Sequence, residues 1–169
     1  LQPMYAHGQT NPELPFTIPA ESKKRWHKGI LDKQTFVLPI KNNTPLKITS
    51  IKYLTTAPQA VQMVGFVFDS TGLGRKLENW DVKPGYEMMG DIDWLPYGMH
   101  GKVGPGTGRL VLQDGFHWEL PADADLIAET HIRQRGKKES LSSSVHLYSE
   151  LQEGSRPIQE IITMTRRIY

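Results

Sequence analysis

Hydrophobic positions recur at two-residue spacing through most of the chain, between clusters of Gly, Pro and Asn, which predicts short strands. The clearest case is residues 125–133: Leu126, Ala128, Thr130 and Ile132 share one face, and Ile127, Glu129, His131 and Arg133 share the other. That division suits a strand with one face on a core, and it turns His131 away from the core. After a turn carrying Gly136, a second strand is predicted over 143–148, where Val145 and Leu147 alternate with His146 and Tyr148. Residues 35–40 and 109–113 read as further strands. Residues 46–55 read as one longer strand whose alternation shifts from Leu46 and Ile48 to Ile51 and Tyr53, as a bulge would produce. Residues 60–69 are almost continuously apolar, which predicts cover on both faces. Asp114-Gly115 is a hairpin dipeptide leading into residues 116–120. Residues 73–81 read as a polar loop, 98–108 as a glycine-rich loop and 158–169 as a closing strand.

Many short strands with Gly and Pro turns predict an all-β fold, an antiparallel jelly-roll-like β-sandwich over residues 30–169. An extended N-terminal arm precedes it over residues 1–29, with Pro3, Pro12, Pro15 and Pro19 and little periodicity. At 169 residues the chain is long enough to bury one core, and 38% hydrophobic with 22% charged residues is an ordinary globular balance. The apolar runs are of strand length, short of the ~20 residues that a membrane helix needs, so no transmembrane helix is expected. A net charge of +2 and the lack of a basic stripe with interleaved aromatics argue against nucleic acid. Without cysteine there is no disulfide, thiolate metal site or cysteine nucleophile. The chain begins at Leu1, from which a processed or truncated amino terminus and an exported, periplasmic or membrane-peripheral protein are expected.

Candidate chemistry is sparse. Lys23, Lys24, Arg25 and Trp26 form the densest basic cluster, which reads either as a solvated turn or as a contact for anionic headgroups or an acidic protein surface. The glycine-rich loop lacks a Gly-Lys-Ser/Thr ending and a following helix, so it is not a phosphate loop. No two histidines stand at a spacing that puts both imidazoles on one face, and no Ser-His-Asp set is singled out. A cross-strand relation between His146 and His131 is one hypothesis, since each lies on the face opposite its core residues.

Leu120-Pro121, Ala124-Asp125-Leu126, His131, Gly136-Lys137, Glu139, Ser143, Val145 and Leu147-Tyr148 together resemble the copper-binding strand of the ascorbate-dependent copper type II monooxygenases, in their bacterial form. Phe36-Val37-Leu38-Pro39 and Pro84-Gly85-Tyr86 follow the same family order, and the resemblance covers residues 30–165. It implies a copper ligand at His131, while Gln62 and Met63 stand where the family has adjacent histidines. It also implies family cysteines at the positions of Thr35 and Met88, and a tryptophan at that of Val103.

A glutamine amide is a poor substitute for an imidazole, and a thioether favours Cu(I). The expectation is therefore a non-catalytic domain, not an enzyme by itself and without a cofactor. It would act as an accessory interaction subunit that docks on protein partners in a larger exported or membrane-bound assembly, redox or photosynthetic in kind. The alternative is a mononuclear copper-binding redox domain using His131 with Met63, His146 or His100, or one domain of a longer copper monooxygenase-like protein.

Overall fold

The computed structural model describes residues 14–18, 31–81, 85–86, 101–104, 108–133, 141–149 and 154–158. Among these residues eleven strands and one helix follow in order: β1 (Leu14–Ile18), β2 (Leu31–Pro39), β3 (Leu46–Ile48), β4 (Ser50–Thr55), β5 (Val61–Asp69), α1 (Leu73–Trp80), β6 (Gly101–Val103), β7 (Gly108–Val111), β8 (Phe116–Leu120), β9 (Asp125–Arg133), β10 (Ser143–Tyr148) and β11 (Arg156–Pro157).

These strands form three open sheets, β1-β10-β4-β7, β11-β8-β3 and β2-β9-β5-β6. None closes or curls strongly, and β11 joins β8 in parallel, so the expected all-β antiparallel jelly-roll-like β-sandwich is corrected to a β-rich fold of three sheets with a helix. The reason lies partly at Thr49. Residues 46–55 are not one bulged strand: β3 pairs with β8, whereas β4 pairs with β10 and β7. Thr49 is the corner between them, its N–H donating to Tyr148 O and its own carbonyl accepting from Leu112 N–H, both at 2.9 Å. The phase shift read from the hydrophobic pattern is a change of sheet.

Residues from all three sheets meet in one core. Phe36, Phe66, Phe68, Leu126 and Ala128 come from the β2-β9-β5 side, Ile51, Tyr53, Val145 and Leu147 from β4 and β10, and Ile48, Trp118 and Leu120 from β3 and β8. Each fully buried large apolar side chain contributes roughly 1.5–3 kcal/mol. Tyr53 enters this core with its hydroxyl satisfied, 2.7 Å from Ser143 Oγ.

Asp114-Gly115 does turn the chain, with Gly115 at φ 83° and Phe116 N–H donating to Gln113 O at 3.1 Å. The strands on either side do not pair as a hairpin, because β7 joins β4 and β8 joins β3. β1 lies within the proline-rich stretch and is held along its length by β10.

The predicted polar loop at residues 73–81 is instead α1. Leu73 and Leu77, four apart and hence on one helical face, pack with Val67 and Ile127 on the outer face of β5 and β9. Asp69 organises the helix start, Oδ1 accepting from Thr71 N–H and Oδ2 from Gly74 N–H, each at 2.8 Å. Arg75 then grips Asp125 through Nε at 2.5 Å and Nη2 at 2.7 Å. Gly74 permits the close approach, since a Cβ there would lie 2.5 Å from Ile127 Cδ1.

Candidate functional site

His131 stands on the outer face of β2-β9-β5-β6, the face that α1 partly covers. Strand register fixes its neighbours. Lys33 of β2 and Met63 of β5 lie directly opposite it on either side. Met63 comes into register through an irregularity between Val61 and Met63, where β5 carries one extra residue, Gln62. Met63 and His131, named together only in the copper-binding alternative, are therefore neighbours across the sheet.

The adjoining row is Tyr86, Thr35, Glu129 and Gly65. Tyr86 N–H donates to Thr35 O at 2.8 Å and Thr35 N–H to Tyr86 O at 2.9 Å, which adds Tyr86 to the free edge of β2. Gly85 makes this possible: it adopts φ 77°, its N–H donates to Glu78 Oε1 at 2.9 Å, and a Cβ would lie 2.5 Å from Thr35 O. Tyr86, Thr35 and Glu129 are buried at 2%, 0% and 1% exposure.

Glu129 and His131 couple the two rows, with His131 Nε2 2.5 Å from Glu129 Oε1. Against a carboxylate the imidazole nitrogen is the donor, so a neutral ring keeps Nδ1 as its acceptor nitrogen. Glu129 Oε2, Tyr86 OH and Thr35 Oγ1 are buried without a hydrogen-bond partner among the described residues. Burial raises the Tyr86 phenol well above its ordinary range, and the carboxylates of Asp69, Glu129 and Glu78 push it further the same way. A carboxylate that orients an imidazole is a known aid to both proton transfer and metal ligation.

The residues do not fit a family-type copper site. His131 Nε2 is engaged by Glu129, the amide of Gln62 and thioether of Met63 replace two imidazoles, and among the described residues no three His, Cys, Asp or Glu side chains are arranged to hold a metal. His146 does not join them, which corrects the cross-strand hypothesis. It sits on β10, paired with β1 and β4 in another sheet, where Ser144 Oγ is 2.8 Å from its Nε2. Val145 and Leu147 face the common core, as does Ala128 of β9. His146 and His131 therefore stand on the outer faces of two different sheets. His100, Met88 and the basic cluster of Lys23, Lys24, Arg25 and Trp26 lie outside the described residues, as do Gly136 and residues 159–169.

Sequence reading missed Glu129, Thr35 and Tyr86 as a buried polar row, because β9 was expected to have one solvent-facing side. The signal was Ile127, an apolar residue on the face assigned to solvent. Among the described residues no helix is long and apolar enough to cross a membrane. In comparisons with known proteins the chain matches no family model, no curated protein and no solved structure.

Proposed function

We propose that this chain is a non-catalytic interaction domain related to the copper type II monooxygenases, in which the copper-face histidine has become a structural element. The observation that carries the reading is the 2.5 Å contact of His131 Nε2 with the buried Glu129. An imidazole committed to a buried carboxylate anchors that face of the sheet. The resemblance draws support from the pairing of Thr35 with Tyr86, since Thr35 and Met88, two residues beyond Tyr86, stand where it implies cysteines. The accessory role itself rests on the proline-rich arm and the Lys23 to Trp26 cluster, both read from the sequence.

A second reading, a mononuclear Cu(I) site on Met63 and His131, is favoured by their direct opposition across β5 and β9. Copper titration separates the two. Cu(I) and Cu(II) are titrated into the purified chain, His131→Gln and Met63→Leu, with His131→Gln chosen because it keeps a donor for Glu129. The expected result is no tight one-equivalent binding in any of the three. Binding near one equivalent that both substitutions abolish would overturn the structural reading in favour of the copper one.

A further inference from the structure

The sheet β1-β10-β4-β7 has an outer face of its own, and its charge is one-sided. Register sets His146 opposite Lys52 and Lys52 opposite Arg109, so the two cations Lys52 and Arg109 stand side by side in one cross-strand row. None of the four strands contains an Asp or Glu. Lys52 and Arg109, placed directly opposite one another, repel, so this pair carries positive potential that the four strands do not neutralise.

Arg109 is held in place by neutral groups. Its Nε–H and Nη2–H donate to the buried Ser50 Oγ at 3.2 and 2.9 Å, and its guanidinium carbon lies 4.7 Å from the centroid of the Tyr148 ring. Among the described residues neither Arg109 nor Lys52 makes an ion pair. A guanidinium has five N–H donors. With the Nε edge used on Ser50, the fork of Nη1 and the second Nη2 hydrogen remains, which is the end that grips an oxyanion through two parallel bonds. Lys52 is one strand away, about 4.8 Å along the row, close enough to add its ammonium to the same anion.

We propose that Arg109 and Lys52 form a binding site for a phosphate group. A phosphate group offers enough oxygens to engage the Arg109 fork and the Lys52 ammonium together, whereas the fork alone fills a carboxylate. The site lies on a different sheet from His131 and does not depend on the copper reading.

The test is a titration of the full chain with inorganic phosphate, and with acetate at matched ionic strength, followed by NMR of the Arg109 Nε–H and the Lys52 amide. Saturable shifts with phosphate and none with acetate are expected. Arg109→Lys, which loses at least one charge-assisted bond, weakens binding roughly tenfold or more, and Lys52→Gln weakens it several-fold. Lys52→Gln is expected to leave thermal unfolding unchanged, whereas Arg109→Lys gives up its bonds to the buried Ser50 and is expected to unfold at a somewhat lower temperature, so both variants are titrated well below their unfolding midpoints. Cosedimentation with phosphatidic acid vesicles, compared with phosphatidylcholine vesicles, assigns the phosphate to a lipid headgroup if it is lost in Arg109→Lys. Phosphate binding without cosedimentation assigns a soluble ligand. The absence of a saturable shift, a shift unchanged in Arg109→Lys, or equal binding of acetate would overturn the proposal.

Discussion

Tyr86 places a phenol hydroxyl in a buried row where nothing among the described residues receives or donates to it. A buried unsatisfied hydroxyl costs about 1–3 kcal/mol, which its removal should recover in part. Tyr86→Phe is therefore expected to leave stability to urea unchanged or raise it by about 1 kcal/mol. A loss of that size would instead mean that the hydroxyl has a partner in the folded protein. Gly85 next to it is expected to be intolerant. At φ 77°, and with Thr35 O only 2.5 Å from where a Cβ would stand, Gly85→Ala strains the turn and crowds the edge of β2. The expected loss is about 1–3 kcal/mol, measured in the same urea series. The bend at Gly85 was legible in the sequence, and Thr35 as a strand residue, although the expected strand began at Thr35 and β2 begins at Leu31. Their pairing was not, because no local pattern in either segment specifies the other.

At the scale of elements, α1 is tied to the sheet by side chains more than by helix propensity. An isolated helix this short is not stable in water, and among the described residues Leu73 and Leu77 make its apolar contact with the sheet. Asp69, which is 2% exposed, accepts from Thr71 and Gly74, so Asp69→Ala should release the helix start at about 2 kcal/mol. Hydrogen exchange would show this as faster exchange of the α1 amides, with the β9 amides less affected; equal acceleration in both would mean that α1 does not open as a unit. Glycines on either side of Leu73 and the polar residues after it hid α1 in the sequence. What identifies it is long-range, namely Asp69 and Asp125 at the ends of two neighbouring strands waiting for a helix N-terminus and a guanidinium. β9 was legible as a strand from its alternation, and β5 as covered on both faces from its apolar run. The cover over Ile127 and Glu129 comes from α1 and Tyr86, so the buried state of Glu129 could not be read from β9 alone.

Across the whole molecule, three sheets share one core, and the arrangement depends on corners such as Thr49 that carry no distinctive residue type. This is why the alternation revealed strands but not their allocation among sheets. The sheet β11-β8-β3 carries His117, 2% exposed, with Nδ1 unpartnered among the described residues. Burial lowers its pKa from the ordinary 6.5, the Lys47 charge adds to the shift, and Glu119 opposes it. The folded state therefore binds this proton less readily than the unfolded chain, so the associated stability is present above pH 6.5 and is lost as the pH falls through the lowered folded value. Tyr86 and Tyr53 bound the other side. Burial raises both phenols above 10.0, so their contribution is present below that pH and is lost as the pH rises through the raised folded values. From these three groups, stability should be level between about pH 6.5 and 10 and fall on both sides. His117→Gln removes the titration at the acid end, so a plot of Tm from about pH 8 down to 5 should flatten in the variant relative to the parent. An acid limb that keeps its slope would show that His117 is not the group that couples protons to this part of the fold, and Tyr86→Phe would similarly be expected to flatten only the alkaline limb.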